Sequence, residues 1–205
     1  VVEQGFVASL RRPGGNITGV ALHSQLDAKI TEVIREALPS ARRLAVLVHD
    51  MDRFHKMVLD SFEPAARSLK FELMVVRVSR AEDFERAFKE LTDRKADALY
   101  VPNIALLTAN RERIIEHALK ARLPHFSVNP AIAAAGGLLS YGTLLEENYR
   151  RAAALVDKIL RGAKPGELPI DQPERFQLVV NLKTAKAIGV TLSPVTMLRA
   201  DKVIE

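Results

Sequence analysis

Cysteine is absent from the 205 residues. That removes disulfides, thiolate metal ligands and cysteine nucleophiles in one step. Long apolar runs are absent as well. A helix that crosses a bilayer needs about 20 such residues, and the apolar runs here, such as 44–48 and 73–76, are strand-sized. No internal repeat and no low-complexity tract interrupts the chain. Nor does charge of one sign dominate: the formal net charge is +5, and Lys and Arg alternate with Asp and Glu, as in Glu82-Asp83-Phe84-Glu85-Arg86. Such mixing belongs to solvated helix faces. With no helix-turn-helix and no aromatic RNP-like run, no nucleic-acid partner is expected.

The motifs of catalysis are missing too. Ser140-Tyr141-Gly142 is not embedded in G-x-S-x-G, and nothing in the spacing of His49, Asp50 and the serines favours a triad. Pro13-Gly14-Gly15-Asn16 precedes a strand pattern, whereas a phosphate cradle needs N–H groups at a helix N-terminus. It reads as a tight turn with glycine at positive φ. No catalytic residue and no cofactor is expected, and the chain reads as a non-enzyme.

What is present is a globular composition, 48% hydrophobic and 27% charged, in which apolar runs alternate with amphipathic segments. Strands are expected at 17–22, 43–48, 71–78, 96–101, 123–128, 138–141 and 176–181. Helices are expected at 28–38, 54–69, 79–94, 110–121, 130–135, 146–160 and 184–188. Pro64 should kink or split the second helix. Ser79 with Glu82 should form a capping box on the third. Gly162-Ala163-Lys164-Pro165-Gly166 is the most linker-like stretch. The alternation implies an α/β fold with a doubly wound parallel sheet. Ligands of such sheets sit at the carboxyl ends of the strands, which here carry His49-Asp50, Ser79, Pro102-Asn103, Asn129 and Tyr141-Gly142.

Two chemistries suit those positions. His49, Asp50, Asp52 and His55 form the densest group of potential metal ligands, although a polar loop with an aspartate capping the next helix accounts for them more simply, and no metal site is expected. Asn103 and Asn129 each follow an apolar strand and offer a donor and an acceptor without charge, which suits the polar head of a small ligand. Tyr141, one of three tyrosines, is placed to stack on a ligand or to pack a hinge. Together with His49, Asp50 and Ser127 these make the candidate ligand-binding set.

Four blocks carry a family resemblance over nearly the whole chain. They are Ser9-Leu10-Arg11-Arg12-Pro13-Gly14-Gly15-Asn16-Ile17-Thr18-Gly19-Val20; Leu123-Pro124 with Ala135-Gly136-Gly137-Leu138-Leu139-Ser140-Tyr141-Gly142; Val156 to Pro165 with Leu168-Pro169-Ile170; and Asn181 to Val190 with Arg199-Ala200-Asp201-Lys202-Val203-Ile204. In this order they resemble the ABC-transporter substrate-binding proteins of the tryptophan/tyrosine-receptor-like type. The resemblance implies a periplasmic-binding-protein-like type I fold, with two α/β lobes about a hinged cleft. It implies an extracytoplasmic, in some members lipid-anchored, receptor that delivers a small solute to ABC permease subunits. Family chains begin with a signal peptide and a first-lobe half. On that reading residues 1–19 are the crossover from a missing first lobe, 20–142 the second α/β lobe, and 143–205 the return segment to the first lobe and hinge. A half-built receptor would expose its cleft face, and exposed apolar surface invites a homodimer of the chain. Where amino-acid-binding relatives carry an acidic residue, this chain has Asn129. That leaves an amino acid and an organic or aromatic carboxylate both open as ligands. The alternative reading is the ligand-sensing domain of a regulator or signalling receptor with the same fold.

Overall fold

The computed structural model describes residue 2 and residues 5–21, 26–50, 54–173 and 175–205. It divides into two compact units, Ser24–Gly142 with Gln177–Glu205, and Val1–His23 with Thr143–Phe176.

The larger unit is built on one sheet. Its strands are β1 (Arg43–His49), β2 (Glu72–Val78), β3 (Ala98–Val101), β4 (His125–Ser127), β5 (Leu139–Thr143), β6 (Phe176–Asn181) and β7 (Lys202–Ile204). They lie in the order β2-β1-β3-β4-β5-β6-β7. The pairs β1/β2, β1/β3, β3/β4, β4/β5 and β6/β7 are parallel. Strands covered on both faces must be apolar throughout, and Leu44 to Val48 are all buried. The parallel register separates two cores. Leu44, Val46, Tyr100 and Phe126 share one face with α1 (Leu26–Ala37), α2 (Phe54–Ser68) and α8 (Leu182–Ile188). Ala45, Leu47, Leu99 and Val101 share the other with α3 (Phe84–Asp93) and α5 (Arg111–Lys120).

Several local expectations are corrected. Pro64 lies inside α2, so the helix is not split there. The residue is exposed, while buried Phe62 and Ala66 hold both sides to the core. The capping box expected from Ser79 and Glu82 is replaced by a single 3-10 turn at Ala81–Asp83, with Arg80 at its N-cap and Asp83, not Glu82, as the side chain that reaches back. The Asp83 carboxylate accepts from the Ser79 and Arg80 N–H groups at 2.8 and 3.1 Å. A separate short helix, α4 (Ala105–Ala109), precedes α5. Gln177–Glu205, with β6, α8, α9 (Pro194–Arg199) and β7, belongs to the larger unit.

The smaller unit contains α7 (Leu145–Leu160) and short parallel contacts between its two segments. The strand expected at 17–22 is reduced, over its described part, to one bridge between Val20 and Asp171. The linker-like stretch is docked: Gly14 N–H donates to Gly166 O at 3.0 Å, and a Cβ on Gly166 would lie 2.4 Å from Gly15 O. Gly14 has φ +78, so the turn expected at Pro13–Asn16 is present, and its glycines also admit this second backbone. Arg151 bridges Asp171 and Glu147 at 3.0 and 3.2 Å.

Candidate functional site

The fold places the site at the carboxyl edge of the larger unit's sheet. From β1 the chain runs outward to β2, then crosses to β3 on the other side of β1. Where connections diverge in this way, the loops leave a crevice at the strand ends. That switch point lies between His49 of β1 and the residues after Val101 of β3.

The expected site residues fall at this edge in unequal ways. His49 ends β1 and is half-buried. Asp50 turns toward the outer strand: its N–H donates to Val78 O, and its carboxylate pairs with Arg77 at 2.9 Å. An exposed pair of this kind adds little stability, but it directs the carboxylate away from the switch point. Asp52 lies outside the described residues. His55 is half-buried in the first turn of α2. Among the described residues, no group of three or more His, Asp or Glu is arranged to hold a metal ion.

Asn103 is exposed beyond β3, and its side-chain oxygen accepts from the Thr108 hydroxyl at 3.0 Å. Asn129 caps α6 (Pro130–Ala134), its Oδ1 accepting from Ala131 N–H at 3.0 Å. The capping role weighed for these asparagines is thus present at Asn129, where it leaves the amide nitrogen for another partner. Ser127 is buried, and its hydroxyl joins two loops: it donates to Val101 O at 2.9 Å and accepts from Asn129 N–H at 3.3 Å. Its position is that of a brace behind Asn129. Tyr141 is half-buried and packs on the α1/α2/α8 side of the sheet.

Gly142 explains how β4 and β5 present these groups together. A Cβ there would lie 1.8 Å from Val128 O and 3.2 Å from Pro130 Cδ. The two strand ends therefore approach more closely than any side chain permits, which sets Tyr141 beside the Val128–Asn129 loop.

Sequence reasoning passed over one further pair. The short connection 38–42 makes α1 run antiparallel to the strands, so its first turn lies at the carboxyl edge. There Asp27 accepts a hydrogen bond from the Tyr100 hydroxyl through Oδ1. Tyr100 is fully buried between Val46 and Phe126 and stacks on Phe62, with ring centroids 4.8 Å apart. Burial raises the Asp27 carboxyl above its ordinary value, and the bond from Tyr100 offsets part of that. Burial and the neighbouring carboxylate push the Tyr100 phenol well above its usual range. In the sequence, Asp27 reads as an acidic residue favoured by the helix dipole and Tyr100 as core, so neither stands out.

At the opposite, amino edge an open hollow of about 620 Å³ is lined by Arg35, Ser40, Arg42, Lys70 and Glu72, among others. Arg35 lies over the Phe71 ring at 3.8 Å and donates to the carbonyls of Pro39, Ala41 and Leu69. Its donors tie loops together, and the hollow lies at the wrong end of the strands for the crevice.

A family model described as ABC transporter substrate binding protein matches residues 1–204. The chain is 26% identical over 187 residues to a tyrosine-binding protein of Clostridioides difficile, an alignment covering 91% of this chain and 54% of the relative. It therefore spans about half the length of that curated relative. Among solved structures, a conserved domain protein from Vibrio cholerae superposes with a TM-score of 0.91 at 23% identity, covering 98% of this chain and 68% of that one. An ABC domain in complex with L-Trp from Streptococcus pneumonia superposes with a TM-score of 0.88 at 22% identity, covering 99% and 70%. These likenesses agree with the doubly wound α/β sheet and identify the fold as periplasmic-binding-protein-like, type I.

Proposed function

The chain belongs to the ABC transporter substrate-binding protein family, and from that premise we propose that it is the solute-binding component of an importer, holding an amino acid or a small organic or aromatic carboxylate. The observation that carries this reading is the carboxyl edge of the sheet. Asn129, Tyr141, Asn103, His49 and Asp27 lie at neighbouring strand and helix ends there, and their donors and acceptors suit the head group of a small solute. The names of the C. difficile tyrosine-binding protein and the L-Trp complex favour an amino acid with an aromatic side chain. The role is binding without chemistry. Ser127, the buried serine nearest the edge, is engaged with backbone, and no nucleophile–base pair accompanies it among the described residues.

In this reading the protein works outside the cytoplasm and passes its solute to membrane permease subunits. The mechanism in this reading is hinge closure about the bound solute. Ligand drives that closure only by binding the closed form more tightly than the open one. Thermal-shift screening of the purified chain against the twenty proteinogenic amino acids and a panel of aromatic and aliphatic carboxylates tests the proposal. At least one compound should raise the Tm in a saturable way. A flat response to every compound would overturn it.

A further inference from the structure

We propose that the amino edge of the larger unit's sheet is an adsorption surface for an anionic phospholipid membrane, carried by Arg42, Lys70, Lys95 and Arg122. The inference goes beyond solute binding, which belongs to the other end of the same strands.

The four cations come from four separate loops. Arg42 precedes β1, Lys70 precedes β2, Lys95 precedes β3 and Arg122 precedes β4. Those strands are neighbours in the order β2-β1-β3-β4. Their parallel register pairs Arg43 with Glu72, Leu44 with Ala98 and Leu99 with His125. Extended back, it sets Arg42, Phe71, Ala96 and Arg122 at one level, with Lys70 and Lys95 one residue before it. Strands about 4.8 Å apart make this a row about 15 Å long. All four cations are exposed, and the loops 38–42, 69–71, 94–97 and 121–124 are described throughout. The acids beside them are mostly engaged: Asp97 by Arg43 and the Arg42 and Arg43 N–H groups, Glu90 by Arg94, Asp93 by Lys89 and Glu116 by Lys120. Glu72 is the exception, an exposed residue beside the hollow that Arg42 and Lys70 also line. The edge therefore carries a surplus of positive charge.

The backbone supplies an independent observation. One kind of bond, from an N–H to the carbonyl five residues earlier, closes α2, α3, α5, α6, α7 and α8. After α6, α7 and α8 the residue at positive φ is glycine: Gly136, Gly162 and Gly189. After α2, α3 and α5 it is Lys70, Lys95 and Arg122. Glycine adopts this conformation without the clash that a Cβ brings. The helices that lead to β2, β3 and β4 thus hold a cation where the backbone favours glycine. Strain retained at an exposed position points to use of the side chain.

An anionic membrane is the partner that fits. Protein interfaces centre on buried aromatic or aliphatic anchors. Among the described residues, no large exposed apolar side chain lies on these four loops. Point charges on separate loops, with no apolar centre, suit a fluid layer of headgroups that rearranges beneath them. On the receptor reading, adsorption by the amino edge leaves the carboxyl edge open to the solute.

Co-sedimentation of the 205-residue chain with lipid vesicles tests this. Vesicles of phosphatidylcholine and phosphatidylglycerol in equal parts should bind the protein, and vesicles of phosphatidylcholine alone should not. Binding should vanish near 1 M salt, where charge acts over only about 3 Å. The triple variant Lys70→Gly/Lys95→Gly/Arg122→Gly should weaken partitioning by about 100-fold, at about fivefold per cation. Glycine suits each of those positions, so its Tm should equal or exceed that of the wild type. The triple variant Lys56→Gln/Arg113→Gln/Lys183→Gln loses the same charge from exposed residues in the first turns of α2, α5 and α8, at the opposite end of the strands. It should bind the anionic vesicles nearly as the wild type does. Equal loss in both variants would reduce the effect to net charge and overturn the proposal. So would equal binding to the two kinds of vesicle, or no binding to either. Release by inorganic phosphate beyond that by chloride at equal ionic strength would mark a site for the free anion and overturn it too. Binding to soluble polyglutamate without binding to vesicles would overturn it in favour of an acidic protein. None of these outcomes bears on solute binding, so the receptor reading stands or falls separately.

Discussion

Single residues at the carboxyl edge do two kinds of work, and the structure separates them. Gly142 is there for what it lacks. With a Cβ only 1.8 Å from Val128 O, an alanine must push two strand ends apart. Overpacking of this kind costs about 1–3 kcal/mol, more when the obstacle is backbone. Gly142→Ala is expected to lower the Tm by several degrees and to weaken ligand binding. Gly15→Ala, whose Cβ would meet nothing within 4 Å, should leave the Tm nearly unchanged. His125 is a different case. It is buried in β4, neither ring nitrogen has a hydrogen-bond partner among the described residues, and burial lowers its pKa from 6.5 to about 4. The unfolded chain therefore takes up a proton that the fold excludes. This contribution to stability is fully present above pH 6.5 and is lost as the pH falls from 6.5 to about 4. The loss approaches about 3 kcal/mol. Chemical denaturation across that window should show the slope, and His125→Leu should flatten it. Asp27 acts in the opposite sense: its raised proton affinity adds stability on acidification, so His125→Leu and Asp27→Asn separate the contributions.

At the scale of elements, three helix ends share a device that no sequence pattern announces. Lys70, Lys95 and Arg122 have φ of 59, 54 and 50°, each immediately before a buried or partly buried apolar residue that opens the way to the next strand. The hydrogen bonds Phe71 N to Ala66 O, Ala96 N to Leu91 O and Leu123 N to Ala118 O close each helix. Glycine is the usual residue at such a cap. A basic residue there interacts favourably with the helix dipole, for about 0.3–1 kcal/mol, against about 1–2 kcal/mol for the left-handed backbone. The backbone term is larger, so Lys95→Gly is expected to raise stability by about 0.5–1 kcal/mol in a denaturant titration. Pro64 illustrates the converse. The proline ring removes one helical bond, but packing of Phe62 and Ala66 carries α2 through it.

Across the molecule, the two units differ in how they are stabilised. The larger has two apolar layers, one on each face of its sheet. In the smaller, the buried apolar residues among those described are Val7, Pro13, Ile170 and Pro173. Its one long helix, α7, exposes Leu145, Tyr149, Val156 and Leu160, the last two at 53% and 82%. Local stability follows buried apolar area and shielding of hydrogen bonds from water. Hydrogen exchange followed by mass spectrometry should therefore show 145–160 exchanging well before 43–49 and 98–101. Protection of α7 equal to that of β1 would contradict this ranking.

The alternation of buried strands and amphipathic helices was legible in the sequence because apolar periodicity reports directly which face of an element is covered. With strand ends known, so was the edge at which His49, Asn103, Asn129 and Tyr141 lie. The sequence could not tell these residues apart, because their roles depend on partners distant along the chain. Asp50 meets Arg77 and Ser127 meets Val101. Nor could it reveal that 177–205 rejoins the sheet, since strand order is a property of pairing, not of local pattern. Asp27 and Tyr100 are 73 residues apart. Only tertiary structure brings a carboxyl group from a helix start against a phenol in the core, and burial there raises its proton affinity.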